Sequence, residues 1–569
     1  MATDQHAERQ VTGAEALLRA LRLQGVDFLF ANAGTDFPTV IEELARLAES
    51  ETCQPLTIPH ETAAVAMAHG YYLVTGRPQA VMVHVNVGLA NAVMGVINAA
   101  SDNVPVLVMS GRTPITETGR KGTRMTPIQY GQEMYDQSSL VRDMVKFNYE
   151  LRYPEQAGAM VARALAAARS EPAGPAYLSL PREALAETFS PAMFPAETAR
   201  PAATAAHPDP DAVAEAASIL GAAARPVILV QRGDPQGRLS SALQGFAERH
   251  AIAVAEPFVV RNVMASAHPM FQGYDAGAAL AGADAVLVLD CDIPWIEALH
   301  RPGDDIRLIH AGPDPHFFRM PARGYRTDLA IQCDPAVLIA ALDAAMRELP
   351  RNEARFAALG KAHETRRAGM RELARKGCAA PMSAEWLSSC LSEALDENAV
   401  VFNELGAVAG AMELAGPNRF FANPHSGGLG WAMPAAFGAQ LADRRRLSVA
   451  VTGDGSYIFA NPVACHQIGE AMELPVLTII KNNGMWNAVR RSVVNAYPEG
   501  AAASANQMPL TSLEPAPDYL KVAEASRAHT ERVEHGRDLP GALARAIAVI
   551  RDERRQAVLD VRVEISDKY

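Results

Sequence analysis

The sequence predicts an α/β protein made of three open parallel-sheet domains. Three observations carry that expectation. The chain has 569 residues, more than one hydrophobic core normally supports. Short apolar runs alternate with helix-length stretches along its whole length. Runs this continuously apolar read as strands buried on both faces, the pattern of parallel sheets covered by helices. Finally, two stretches look like linkers. PAMFPAETARPAATAAHPDPDA (191–212) is dense in Pro and Ala, and the charged run 351–383 reads as helix before Pro381. The domains are therefore expected at 1–190, 205–350 and 375–569.

In the first third, LTIP (56–59) leads into the helical HETAAVAMAHGYYLVTG. AVMVHV (80–85) is the next strand, followed by a Gly-containing turn, an Ala-rich helix and VPVLVMSG (104–111). In the middle third, RPVILVQ, DAVLVLD and IRLIHAG are strands separated by helix-length intervals. RLSVAVTG (446–453) and LPVLTIIKN (474–482) are strands of the last third. The first and last thirds share a similar layout.

Composition narrows the function. With 49% hydrophobic and 20% charged residues the chain reads as globular, not disordered. A net charge of −12 argues against a nucleic-acid partner, which needs concentrated Lys and Arg. The six cysteines are scattered without a CxxC pair, which suits neither a zinc knuckle nor a disulfide framework. The opening MATDQHAERQ lacks a signal-peptide core, and no apolar run reaches membrane-spanning length. The expectation is a cytoplasmic protein with a small-molecule substrate.

The chemistry concentrates in Val451–Trp486, VTGDGSYIFANPVACHQIGEAMELPVLTIIKNNGMW. Gly453 ends one strand, and Asn461 is a plausible N-cap with Pro462 at the first helical position. The helix runs to about Glu473, and the next strand ends at Lys481. A right-handed crossover brings both strand ends to one edge of the sheet, so Asp454 meets Asn482 and Asn483 where open α/β sheets bind ligands. A carboxylate, an amide and main-chain carbonyls are hard oxygen donors suited to Mg²⁺ or Ca²⁺. Two side chains do not fill an octahedron, so the remaining ligands are expected from water and a phosphate. Gly455 and Ser456 offer that phosphate N–H groups and a hydroxyl. GDG or NNG alone is an ordinary turn; the pair at successive strand ends carries the argument.

GDG, 26 residues and NN together resemble the diphosphate-and-metal motif of the thiamine diphosphate enzymes related to acetolactate synthase and the 2-oxo acid decarboxylases. The resemblance extends over nearly the whole chain as pyrimidine-binding, central and diphosphate-binding domains. It implies thiamine diphosphate and Mg²⁺ as cofactors. It also implies Asp454, Asn483 and the Met485 carbonyl as metal ligands, with Gly453, Gly455 and Ser456 beside the diphosphate and Asn482 structural. Such enzymes use a Glu to hydrogen-bond the coenzyme's pyrimidine, and Glu61 in PHETAAVAMAHGYYLVTG matches it. Leu429 in SGGLGWAMPAAFGAQ (426–440) matches the apolar wedge beneath the rings.

Substrate-side residues resemble benzoylformate decarboxylase. His84 stands 23 residues after Glu61 and is followed by Gly88 and Asn91 in a G-x-x-N spacing. NAGTDFP (32–38) matches an N-P-G-S loop with Thr35 for Ser, and SAHPMFQG matches a second histidine with His268. His84 and His268 are implied as proton carriers, with Thr35 on the substrate. The central domain is expected to be empty, since RGDPQG after RPVILVQ is a weak phosphate loop. The implied activity is non-oxidative decarboxylation of a 2-oxo acid to an aldehyde, with acyloin formation alongside, in a homodimer or homotetramer with active sites at subunit interfaces. Two alternatives remain: an acetolactate synthase-like carboligase condensing 2-oxo acids, with or without FAD, and a non-catalytic thiamine diphosphate-binding protein. A nicotinamide dehydrogenase is disfavoured because GGLG lacks the G-x-G-x-x-G spacing.

Overall fold

The computed structural model describes residues 9–194, 198–505 and 507–566. The chain forms two compact units: Met1–Thr204 with Pro424–Ala442, and Ala205–Asn423 with Asp443–Tyr569.

The first unit is built on a six-stranded parallel sheet of Phe28–Ala31, Gln54–Thr57, Ala80–Val83, Leu107–Arg112, Phe147–Glu150 and Ala176–Pro181. Counted along the chain, the strand order is 2-1-3-4-6-5. Ala80–Val83 and Leu107–Arg112 are buried at every position, as continuous apolar strands between helices must be. The Glu61–Thr75 and Val85–Ser101 helices pack on one another, and the Ala432–Ala442 helix packs on the former.

The second unit holds two parallel sheets. Pro226–Val230, Ala253–Ala255, Ala285–Leu289, Arg307–Gly312 and Leu329–Gln332 run in the order 2-1-3-4-5. Val400–Glu404, Phe420–Ala422, Ser448–Gly453, Leu477–Asn482, His529–Val533 and Ala557–Arg562 run 2-1-3-4-6-5. That repeats the order of the first unit, so the similar layout of the two thirds is a matching topology. In both six-stranded sheets the order reverses between strands 1 and 3, which is where open α/β sheets place ligands. Residues 32–37 and His84 follow those strands in the first unit; Leu405 and Asp454 follow them in the second.

Three local expectations are corrected. No turn follows Ala80–Val83: the helix begins at Val85, whose φ of +32° reverses the chain, and Gly88 lies inside the helix. Asp454 opens a helix of its own, Asp454–Phe459, because a carboxylate in a first helical turn is favoured by the dipole. Asn461 precedes the Pro462–Ala471 helix in a left-handed conformation and makes no side-chain cap bond. The charged run does form a helix, Glu353–Lys376.

Candidate active site

In the second unit, Asp454 is 3% exposed. Its Oδ1 accepts from Gly455 N–H at 2.9 Å and its Oδ2 from Gly484 N–H at 2.7 Å. The two strand ends therefore meet, as the crossover argument requires. Burial raises the Asp454 carboxyl above its ordinary value, against the lowering effect of the amides of Gly455, Gly484 and Asn483. Among the described residues, no Lys or Arg forms an ion pair with it. The two asparagines differ sharply. The Asn482 amide is committed, donating to Asp560 at 2.9 Å and accepting from Arg562 at 2.8 Å. Asn483 is only half-buried, and its Oδ1 accepts from Met485 N–H at 3.2 Å. The Met485 carbonyl accepts from Asn487 N–H at 2.9 Å, leaving a second lone pair.

The Gly455 N–H is already taken by Asp454, so Ser456 is the remaining donor of the pair named in the sequence. Gly455 also makes room for a ring: a Cβ there would lie 2.1 Å from the Trp486 side chain. Trp486 in turn packs edge-on against Phe459 at 5.7 Å. Neighbouring Lys481 is pushed down to about 8 by burial. A buried carboxylate, an available amide and main-chain oxygens fit a hydrated divalent ion that draws further ligands from a phosphate.

In the first unit, Glu61 opens its helix and is 8% exposed. Its Oε2 accepts from Asn91 Nδ2 at 3.1 Å. Its Oε1 faces Gly88, where an added Cβ would stand 3.2 Å away. One carboxyl oxygen is thus held by the protein and the other is left open, which fits a hydrogen bond to a ring nitrogen. Leu429 is half-buried in a loop that Asn98 organises. Asn98 donates to the Gly428 carbonyl at 2.9 Å and accepts from Ser426 Oγ at 2.7 Å and from Gly428 N–H at 3.2 Å.

His84 makes two ring contacts that the sequence reading missed. Nδ1 lies 2.6 Å from Asp36 Oδ1, and Nε2 lies 3.0 Å from Gln132 Nε2. The hydrogen bond to Asp36 raises the His84 pKa, opposed by burial and assisted by the charges of Asp36 and Glu61. The available signal was a lone carboxylate in NAGTDFP, directly after the first strand. Thr35 is exposed beside it, and Gly34 lies against the His84 ring. His268 belongs to the second unit. Its Nδ1 accepts from Met270 N–H at 3.3 Å, Glu248 is 3.9 Å from its Nε2, and burial lowers its pKa.

At the central sheet, RGDPQG is a helix cap. The Asp234 carboxylate accepts from the N–H groups of Gln236, Arg238 and Leu239 at 2.8–3.1 Å.

Three protein-family domains match this chain in order. The thiamine pyrophosphate enzyme N-terminal TPP binding domain covers residues 11–140, the central domain 213–342 and the C-terminal TPP binding domain 405–561. The chain belongs to the thiamine pyrophosphate enzymes. A probable 2-ketoarginine decarboxylase of Pseudomonas aeruginosa is 26% identical over 85% of this chain and 84% of its own length. The benzoylformate decarboxylase of the same organism is 26% identical over 83% and 85%. An acetolactate synthase large subunit of Parasynechococcus marenigrum is 26% identical over 92% and 83%. The fold matches that of benzoylformate decarboxylase from Polynucleobacter necessarius, with a TM-score of 0.78 and 21% identity over 98% of this chain and 99% of that one.

This enzyme is therefore a thiamine diphosphate-dependent lyase or transferase of the decarboxylase and acetolactate synthase group. Among its described residues, no helix is long and apolar enough to cross a membrane.

Proposed function

We propose that the enzyme is a Mg²⁺-dependent, non-oxidative 2-oxo acid decarboxylase that releases an aldehyde, with acyloin formation as a second outcome. The observation that carries this reading is His84, a histidine at the sheet's switch point whose proton affinity is raised by Asp36 and Glu61. Replacing a carboxylate by hydrogen on the substrate carbon requires a proton donor near neutral pH, and this is the group supplied. The 26% likeness to a benzoylformate and a probable 2-ketoarginine decarboxylase supports the same reading.

The proposed roles are these. Asp454, Asn483 and the Met485 carbonyl hold the divalent ion, and Gly453 and Ser456 border the diphosphate. Gly455 keeps the floor open for Trp486. Glu61 offers its open Oε1 to the coenzyme's pyrimidine, and Leu429 supports the rings. When bound, the coenzyme supplies the electron sink for the bond beside the carbonyl. Thr35, exposed next to the His84 pocket, contacts the substrate carboxylate. His268, engaged with Met270 and Glu248, is assigned no step. The resemblance to the thiamine diphosphate enzymes supports a homodimer or homotetramer with active sites at subunit interfaces. The thirds at 1–190, 205–350 and 375–569 then act as pyrimidine-binding, central and diphosphate-binding domains, in the cytoplasm.

The likeness to acetolactate synthases supports a second reading, carboligation of two 2-oxo acids, with or without FAD in the central domain. The test is to load the enzyme with thiamine diphosphate and Mg²⁺ and screen a 2-oxo acid panel that includes benzoylformate and pyruvate. Release of CO₂ with an aldehyde is expected. Acetolactate from pyruvate with flavin absorbance in the purified enzyme overturns the first reading in favour of the second.

A further inference from the structure

The surroundings of His84 are built around its ring in a way that proton donation alone does not explain. Asp36 is 3% exposed and grips two groups at once. Its Oδ1 takes His84 Nδ1 at 2.6 Å and its Oδ2 takes the Val85 N–H at 3.1 Å. Val85 is a β-branched residue at φ +32°, a strained conformation for any side chain but glycine's. Two glycines clear space for the pair. A Cβ on Gly34 would lie 2.1 Å from His84 Nδ1, and one on Gly111 would lie 1.6 Å from Asp36 Oδ2.

On the other side of the ring, Gln132 Nε2 faces His84 Nε2, while Gln132 Oε1 is buried without a partner. The Gln132 backbone is held by its own N–H, which donates to the Ile128 carbonyl at 3.0 Å. Gln132 therefore keeps its place while its amide is free to turn over.

We propose that Asp36, His84 and Gln132 form a proton-holding relay in which Asp36 is a positioning residue and Gln132 serves both protonation states. Asp36 keeps one ring proton on Nδ1, so Nε2 is the exchanging nitrogen. With the ring neutral, Gln132 Nε2–H donates to Nε2. With the ring protonated, the amide reverses and its Oε1 accepts from Nε2–H. In turnover, CO₂ leaves with the broken bond's electron pair remaining on the former carbonyl carbon. That carbon takes the Nε2 proton, the ring returns to neutral with Nδ1–H on Asp36, and solvent restores the proton. The charged groups facing the ring are Asp36 and Glu61; Gln132 is neutral. The relay rests on the reading of His84 as proton donor.

Asp36→Asn is the informative change. The Val85 N–H demands an acceptor, so the new amide turns its oxygen there and its NH₂ toward His84. Nδ1 then becomes an acceptor and the proton moves to Nε2, the wrong tautomer. The assay is diethylpyrocarbonate modification of His84 in the full-length protein, followed by peptide mass spectrometry from pH 5 to 9. The reagent attacks only neutral imidazole, so its rate reports protonation without turnover.

The wild-type midpoint is expected above about 6.5. In Asp36→Asn it should fall by about one pH unit or more, and in Gln132→Glu, which adds a charge at Nε2, it should rise. The alkaline-side limb of kcat for benzoylformate should move with it, since the donor must be protonated. Unchanged midpoints in both variants overturn the relay, and Gln132→Glu decides the matter alone if Asp36→Asn does not fold. If His84→Ala leaves decarboxylation intact while the midpoints shift as stated, the relay stands and the catalytic reading of His84 fails.

Discussion

Replacing Gly70 by alanine should destabilise the first unit where two helices cross. A Cβ on Gly70 lies 2.0 Å from the Ala435 carbonyl oxygen, and one on Gly438 lies 2.0 Å from that of Met67. Carbon–oxygen contacts settle at about 3.3–3.6 Å, so Gly70→Ala forces the Glu61–Thr75 and Ala432–Ala442 helices apart by roughly 1.3 Å. Alanine contributes about 1 kcal/mol of helix propensity in its favour. Against that stands an overpacking cost of about 1–3 kcal/mol, together with the weaker dispersion attraction between helices held further apart. The obstacle is backbone, which no rotamer change relieves, so overpacking wins. At about 2–4 °C per kcal/mol for a unit of this size, the unfolding midpoint should fall by up to roughly 8 °C. Gly369 is the control. It lies in the Glu353–Lys376 helix with nothing within 4 Å of the same added methyl, so Gly369→Ala should hold or raise the midpoint. Scanning fluorimetry of both variants is the assay. Equal midpoints would refute the close-crossing argument.

Three further outcomes follow from the structure. Glu61→Gln should leave folding intact and reduce turnover by about 10²-fold or more, measured as CO₂ release with saturating thiamine diphosphate. Gly455→Ala should displace the Trp486 ring, shifting its fluorescence and raising the half-saturating thiamine diphosphate concentration. Glu256 is fully buried, accepts from the N–H groups of Val263 and Met264, and is pushed up to about 8 by desolvation. Its folded pKa lies above its unfolded value of 4.5, so its stabilising contribution is complete below about pH 4.5 and is lost as pH rises through about 8. In Glu256→Gln that loss disappears. The variant's unfolding temperature, relative to wild type, should therefore climb by several degrees between pH 5 and 8.5; parallel curves would contradict this.

What the sequence disclosed depended on the range of the interactions involved. The apolar runs at Ala80–Val83, Ala285–Leu289 and Ser448–Gly453 declared buried parallel strands because nothing else accounts for them. Polar or short strands such as Phe147–Glu150 and His529–Val533 carry no such pattern and went unread. The meeting of Asp454 with Gly484 followed from crossover handedness alone. Asp36 and Gln132 did not follow, because their partnership with His84 spans 48 residues each way and depends on register between loops. The split between Asn482 and Asn483 likewise becomes a physical statement only through Asp560 and Arg562. Val85 shows the opposite failure: local rules place glycine at such a φ, and the Asp36 bond to its N–H overrides them.

The most direct measurement is calorimetric titration of thiamine diphosphate into metal-free protein, with and without Mg²⁺, for wild type and Asp454→Ala. Saturable binding only with Mg²⁺, weakened at least about 100-fold (~3 kcal/mol) by Asp454→Ala, is the predicted result. Binding of equal strength without the ion, or unaltered by the loss of that carboxylate, would contradict the account.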